Sequence, residues 1–478
     1  MATINTNVSA LAAQARLQRS YQDLQLSLER LSSGFRINRG ADDPAGLIVS
    51  ENLRSEIAGV RQAVANSQRA SNVIATSEGA LGEVANLLVD IQDLVIEAAN
   101  ESGVSDAEVR ANQLQIDSAI DSITRIANTT TFAGRKLLNG ALDYITSGIP
   151  GSAIMQADIF QAQFGTRDYI PVQISVTASA QHATLQYRAS AVPTGGVQLE
   201  VAGDDGVATI ELGSGMAASA MVAAVNVVAD ATGISAALLN DANPASGIQF
   251  VSRGWGGDEF VSVRPLSMAS SFTTSDVDGA SVQRDYGRDA VGTINGADAT
   301  LNGQVLEINT ATLDVRVRLS DDFGVGQKSF AITGGGSLFQ LGPQVNTNQQ
   351  VNISVPSIAA SRLGSGLCGY LSEIVSGGAH DLRTDPKGAS DIINAAIEQT
   401  SVLRGRLGAF ERNTLDTNVN QLQITLENLT SAESAIRDTD FAVETSHLTR
   451  AQILVNAGTS VLAIANTTPQ SVLALLGG

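Results

Sequence analysis

Apolar residues recur at both ends of this chain in alternating steps of four and three. Near the start, Ile4, Val8 and Leu11 are followed by Leu17, Tyr21, Leu24, Leu28, Leu31 and Phe35, spaced 4-3-4-3-4. A period of 3.5 residues marks a narrow seam for another helix, not the broad face of a globular surface helix. The pattern stops at Gly34 and resumes after Pro44. Leu53, Ile57, Val60 and Val64 then step 4-3-4, with Ser67 and Ser71 holding the seam until Ile74. Leu81, Val84, Leu88, Ile91, Val95 and Ala98 continue it. A third segment after "NESGVSD" carries Ile116, Ile120, Ile123 and Ala127, and ends at "NTTTFAGRKLLNG".

The interruption, "GFRINRGADDPAG" at residues 34–46, reads as a joint between two rods. Gly34 and Gly40 release the first helix. Asp43 is a good N-cap, and Pro44 suits the first helical position, where its missing N–H costs nothing. Arg36, Asn38 and Asp42 complete the spacer.

The other end mirrors this order. Leu403, Leu407 and Phe410 lie on one stripe, then Leu415, Val419, Leu422, Leu426 and Leu429 run 4-3-4-3, extended by Ala432 and Ile436. A polar break, "RDTD", precedes a last amphipathic segment through Leu448, Leu454, Val461 and Leu462, and the chain stays apolar through Leu473 and Leu476. Rods at both termini of one chain most simply pair with each other.

Between residues 165 and 355 glycine is frequent and helical periodicity fades. "PVQISVTAS" alternates Val172, Ile174 and Val176; "TLDVRVRLS" alternates Leu313, Val315, Val317 and Leu319 with Asp314, Arg316 and Arg318. Both are half-buried strands. Met221, Val225 and Val228 offer one short helix. The predicted class is α+β: long antiparallel coiled-coil rods from both termini with an inserted, mainly β central region.

Composition sharpens this picture. At 478 residues the chain exceeds one core. A net charge of −19 argues against a nucleic-acid partner and favours solubility. Aromatics are only 4%, lean material for a ligand pocket but suited to helices packed by small aliphatic side chains. Cys368 stands alone, so no intramolecular disulfide forms, and a buried thiol acting as a small hydrophobe is its simplest role. No apolar run approaches the roughly 18 residues that would cross a bilayer. The opening "MATINTNVSALAAQARLQRS" lacks a basic stretch followed by an apolar core, so a Sec-type leader is not expected.

Candidate chemistry is sparse. His182, His380 and His447 are far apart, and none lies in an H-E-x-x-H array. "GTINGADATLNG" lacks the Lys-Ser or Lys-Thr of a phosphate loop and reads as a surface turn. Asp42 and Asp43 could be a carboxylate pair, though a cap beside a proline explains both. Arg36 and Arg39 could bind anions, but at a joint they more simply pair with nearby acids. Asp258 and Glu259 read as a solvated loop. The sequons at Asn7, Asn128, Asn352, Asn428 and Asn466 fall largely in helical or terminal segments, as chance would place them. The expectation is no enzyme, no metal and no cofactor.

Two stretches near the start, "LSSGFRINRGADDPAGLIVSENLRSEI" and "SEGALGEVANLLVDIQDLVIEAAN", resemble bacterial flagellins. So does "NLTSAESAIRDTDFAVETSHLTRAQILVNAGTSVLAIANTTPQSVLALL" near the end. The likeness covers roughly residues 1–140 and 390–478 in the family's order. The middle is only weakly similar, at "GTINGADATLNGQ" and "VNVVADATGISA".

The resemblance implies a self-assembling, exported filament subunit used for motility. It implies an inner tube from residues 1–43 and 438–478, a rod layer from 44–165 and 356–437, and an outward-facing insert at 166–355. Assembly contacts would then fall on Ile4, Val8, Leu11, Leu17, Leu24, Leu28 and Leu31, and on Leu448, Leu454, Val461, Leu462, Leu473 and Leu476. Gly34, Arg36, Asn38, Asp42, Asp43 and Pro44 would form the spoke. The rod seam would hold Leu53, Ile57, Val60, Leu88, Ile91, Val95, Ile116 and Ile120 with Leu415, Val419, Leu422, Leu426 and Leu429. Implied partners are further copies of the chain, a filament cap, a hook–filament junction and an export chaperone, with no nucleic acid and no membrane insertion. A vertebrate innate receptor that senses flagellins would meet the surface at Asp90, Asp93 and Leu94. Strongly sensed members carry arginine and glutamate where this chain has Asp90 and Asp93, so weak sensing is expected. The rival reading is a surface adhesin or binding module in residues 166–355.

A narrow seam on a terminal helix cannot be buried within one subunit, so its ordering would couple to polymerisation. A heterologous contact that does not close on itself gives an open helical fibre.

Overall fold

The computed structural model describes residues 6–100, 103–266 and 271–476, without the side chains of 468–476. Ile4, and the side chains of Leu473 and Leu476, lie outside the described residues. Eight α-helices appear among them: α1 (Val8–Ser33), α2 (Pro44–Ala98), α3 (Asp106–Thr129), α4 (Ala218–Asn226), α5 (Ala229–Thr232), α6 (Pro386–Phe410), α7 (Thr417–Arg437) and α8 (Phe441–Leu476). A π turn, Glu411–Asp416, lies between α6 and α7 in the chain. Contacts divide the chain into two compact units. One holds Met1–Ala70, Gln340–Gln349 and Arg412–Gly478; the other holds Ser71–Phe339 and Gln350–Glu411.

The first unit is helical. Asn7 caps α1 through its side chain, which accepts from the Ala10 amide. Gly34 ends α1 in the left-handed conformation, φ 78°, where a side chain would strain the backbone. At the start of α2 the Asp43 carboxylate accepts from the Gly46 amide at 2.9 Å. Gly46 is closely enclosed: a Cβ there would run into the Asp43 carboxylate and sit 2.7 Å from the end of the buried Ile37 side chain, so the cap or the core would have to shift. Val60, Ala63 and Leu422 form a small core, with Val64, Leu426 and Leu429 packed against it. The stripe read as Val60–Val64–Ser67–Ser71 is therefore corrected: the buried positions are Val60, Ala63, Ser67 and Ala70. Val64 is half-buried at the edge of the stripe. Ser71 also leaves it and hydrogen-bonds the Glu411 carboxylate. The step from Val60 is three, and alanine lets the helices approach there.

In the second unit α2 continues the buried stripe through Ile74, Ser77, Leu81, Val84, Leu88, Ile91, Val95 and Ala98. Ser105 and Glu108 form a reciprocal capping box at α3, whose Ile116, Ile120, Ile123 and Ala127 are buried. Asp385 and Pro386 start α6 as N-cap and first-turn proline. Gln92 of α2 donates to Asn394 of α6 at 2.8 Å.

The β-rich region holds two cores. The first lies between a six-stranded and a five-stranded sheet. The six-stranded sheet runs Thr300–Asn302, Val305–Asn309, Leu313–Leu319, Ile154–Ala162, Gln350–Ile353 and Ser337–Gln340 in spatial order. The five-stranded one runs Ala297–Asp298, Val291–Ile294, Ile170–Ala178, Gly326–Gly335 and Tyr144–Ser147. Val172, Ile174 and Val176 from one sheet and Val315, Val317 and Leu319 from the other meet in this core. The second core joins a four-stranded and a three-stranded sheet to α4, with Phe250, Leu199, Met221 and Val225 fully buried. Strands begin well upstream of residue 166: Thr131–Phe132 pairs with Arg135–Lys136, Tyr144–Ser147 follows, and Ile154–Ala162 is the antiparallel neighbour of Leu313–Leu319.

Candidate assembly surface

Helices α1 and α8 pack along their lengths. Asn7 donates to the Ala465 carbonyl at 2.8 Å. A Cβ on Gly458 would lie 3.0 Å from the Leu17 side chain. Arg30 pairs with Glu444 at 3.6 Å. The early residues of α1 thus meet the late ones of α8, and the pair is antiparallel.

Each helix turns one heptad stripe inward. On α8 it is Glu444, Leu448, Ala451, Val455, Gly458, Leu462 and Ala465; on α1 it is Ala10, Ala13, Leu17, Ser20, Leu24, Ser27 and Leu31. Small residues at alternate positions bring the helices close and leave little apolar area to cover. Of all of α1, only Ser27 is buried.

The second stripe is left to solvent. Val8 is 66% exposed, Leu11 58% and Leu28 50%, with Tyr21 beside them. On α8, Phe441, Val443, Ile453, Leu454, Val461 and Ile464 are exposed. Leu17, Leu24, Leu31, Leu448 and Leu462 thus face the partner helix, while Val8, Leu11, Leu28, Leu454 and Val461 face outward. Full burial of such a side chain contributes about 1.5–3 kcal/mol. The expectation that no stretch is apolar enough to cross a bilayer is corrected here. Phe441–Thr467 of α8 has a mean hydropathy of 1.2 over its best 18-residue window. Alanine, threonine and glycine break up its leucines, so the apolar character escapes a search for unbroken runs.

The joint is a hydrogen-bonded knot. Asp42 accepts from the amides of Asn38 and Arg39, at 3.0 and 2.9 Å, and Asn38 donates to the Phe35 carbonyl. The Arg39 amide's hydrogen bond is the first cause holding the Asp42 carboxyl below the usual carboxylate range, opposed by a smaller cost of burial. Asp42 thus closes the spacer, while Asp43 alone caps α2. Arg39 forks onto Glu29, and Arg36 reaches Asp43 at 4.0 Å and the Ile436 carbonyl at 2.5 Å. Backbone bonds Arg36 N–H to Arg437 O and Thr439 N–H to Gly34 O, at 2.7 and 2.9 Å, tie the joint to the break between α7 and α8. The Arg437 guanidinium covers the Phe35 ring and pairs with Glu51. This cross-joint pairing was invisible in spacing alone, although both breaks were legible.

Along the rod, Ile57, Val60, Leu88, Ile91, Val95, Ile116, Ile120, Leu415 and Leu422 are buried, while Leu53, Val419, Leu426 and Leu429 are half-buried. Asp90 and Asp93 are exposed and Leu94 is half-buried.

Comparison with known proteins fits this arrangement. Residues 4–143 match the bacterial flagellin N-terminal helical region, and 390–476 the bacterial flagellin C-terminal helical region. The chain is 30% identical to a flagellin of Salmonella choleraesuis, over 99% of both chains. It is 29% identical to a B-type flagellin of Pseudomonas aeruginosa and to flagellin B of Vibrio cholerae, each over 99% of both chains. These alignments run through residues 166–355, so the middle needs no separate adhesin or binding module to explain it. With long helices at both ends, a central β-rich region and full-length relatives of one kind, the chain belongs to the bacterial flagellin family, as a structural subunit that polymerises into a motility filament.

Proposed function

We propose that the subunit polymerises by burying the outward stripes of α1 and α8 against neighbouring copies, including Val8, Leu11, Leu28, Leu454 and Val461. The observation that carries this reading is the contrast within α1: 26 helical residues, one of them buried, and a full row of exposed apolar side chains. A stripe of that size left in water marks an interaction site. The knot at Gly34–Pro44 would hold the α1–α8 pair at a fixed angle to α2 and α7, as a spoke. The buried stripe from Ile57 to Val95, with Leu415 to Leu429, forms the rod. On this reading residues 1–43 and 438–478 line the filament, 44–165 and 356–437 surround them, and 166–355 face outward. The protein is exported and extracellular, works without catalysis, and meets a cap, a hook–filament junction and an export chaperone.

Removing residues 440–478 tests the assembly claim. The truncated chain should keep both β cores by circular dichroism and thermal unfolding, yet form no filaments on salting out. Filaments from it would overturn the proposal. The same reading makes Asp90 and Asp93 an acidic patch exposed on the monomer, a poor match for a receptor that meets arginine at that place. Asp90→Arg should raise signalling in a reporter-cell assay of monomeric protein; strong signalling by the unaltered chain would count against it.

A further inference from the structure

Residues Gln340–Gln349 group with the helices of the first unit, although their nearest neighbours in sequence are strands. The segment is closed on itself. The amides of Leu341 and Gly342 donate to the Gln349 carbonyl at 2.9 and 3.2 Å. The Gln349 side-chain oxygen accepts from the Gln344 amide at 2.6 Å, and Gln340 donates to the carbonyls of Gly342 and Gln344. A loop so cross-linked keeps its shape and can act as a rigid part.

It sits against both rod helices. Pro343 lies over Gly59 of α2, where a Cβ would come within 3.1 Å of the Pro343 ring carbon Cβ. Leu341 is buried. Asn418 of α7 donates to the Leu341 carbonyl at 2.9 Å and to the Ser67 hydroxyl at 3.0 Å. Ser67, fully buried on α2, donates in turn to the Ala63 carbonyl. One side-chain amide therefore ties together α2, α7 and the loop.

The tie stands where packing specifies register least. Around it α2 offers Ala63, Ser67 and Ala70, side chains too small to interlock deeply. The π turn Glu411–Asp416 comes just before α7, and buried Leu407 and Leu415 are eight residues apart instead of seven. The residue spacing of the stripe shifts by one there, so the heptad pattern does not by itself fix the register of α7. A polar group within an apolar seam does fix it, because any slip leaves that group without partners.

We propose that Gln340–Gln349 is a clasp that fixes the register of α2 against α7, with Asn418 as its positioning residue. The assembly-competent rod then depends on a loop carried by the β-rich part of the chain. This rests on the reading of the protein as a polymerising subunit.

Two variants of the full chain test it. Asn418→Asp keeps the size of the side chain but can donate neither to the Leu341 carbonyl nor to the Ser67 hydroxyl, whose own proton goes to Ala63. Replacing residues 341–348 by a Gly-Ser stretch of equal length removes the clasp without touching α7. Hydrogen exchange should then be at least tenfold faster at amides 57–70 and 417–426 in both variants, with strands 154–162 and 313–319 unchanged. Seeded polymerisation should slow in both. Faster exchange confined to the loop itself, or normal protection with normal polymerisation, overturns the clasp. If the clasp variants assemble normally while the chain lacking 440–478 does not, the clasp fails and the assembly reading stands. If the truncated chain assembles, the assembly reading has failed independently.

Discussion

Helix α1 and the strand Leu313–Leu319 are both amphipathic, yet they end up in opposite conditions. The strand buries five of its seven residues; the helix, nearly four times as long, buries one. The strand has partners on both sides from its own chain, Val305–Asn309 and Ile154–Ala162, and a second sheet across the core. The helix has α8 along one face, and near its end Arg39 of the joint pairs with Glu29. Apolar pattern alone thus signals that a face will be covered. Whether the cover comes from the same chain or from another copy depends on how many elements the fold places nearby.

Substitutions can break that contrast. The largest effect is expected from Leu454→Asp with Val461→Asp, two outward residues of α8. Filament formation should be lost while monomer stability stays within about 0.5 kcal/mol, as for surface changes generally. Sedimentation of salted-out protein with parallel thermal unfolding decides it; a destabilised monomer would place these residues in an internal core. Phe250→Ala should do the reverse. It empties the centre of the second β core, should cost about 3–5 kcal/mol, and should leave the helical ends unaltered.

Leu422 and Leu426 grade the rod itself. Leu422→Ala should cost about 2–5 kcal/mol, and Leu426→Ala, at a half-buried position, distinctly less. Equal costs by chemical denaturation would mean that the two leucines share one environment.

The smallest effect is one of pH. The forked hydrogen bonds from Arg383 are the first cause holding the Asp381 carboxyl well below its usual range, and the Gly377 and Arg383 amides add to it. A depressed carboxylate stabilises above its unfolded pKa of roughly 4 and loses that contribution as pH falls towards the native value. Asp381→Asn should therefore be less stable than the parent at pH 7, with the gap closing below about pH 4. Asp158 has the opposite sign: burial is the main cause raising its pKa, so the cost of keeping it ionised is relieved on acidification. A gap that widens in acid would reverse the assignment for Asp381.

Much of the fold was legible because caps and periods are local. Asp43–Pro44 and the Gly34 terminus were readable from residue type, as were Val172–Val176 and Leu313–Leu319 from strict alternation. Ile154–Ala162 was not, since register shifts opposite Asp314–Val315 and Arg318–Leu319 break its period. Its buried residues are Ile154, Ile159 and Ala162. In α1 the apolar positions were plain, but two stripes overlap, and spacing could not tell which faces α8. The pairing of Phe35 with Asp438 across the joint lies some four hundred residues away in sequence and carries no local signal. The five-residue gap from Phe410 to Leu415 was visible in the sequence, although its form was not.

That gap has a bearing on how the gene can change. Each residue of an α-helix turns the following faces by about 100°, so a codon lost from the first turn of α7, ahead of Leu422, would swing Leu422 and everything after it away from Val60. Between Leu407 and Leu415 the arithmetic differs. The π turn already accommodates one residue beyond the heptad, and losing a codon among residues 411–414 would return the spacing of Leu407 and Leu415 to seven. Leu415 and Leu422 would still face inward. Insertions and deletions are ordinarily confined to loops; here a long helix contains a position where its length can drift by one without scrambling the surfaces on either side.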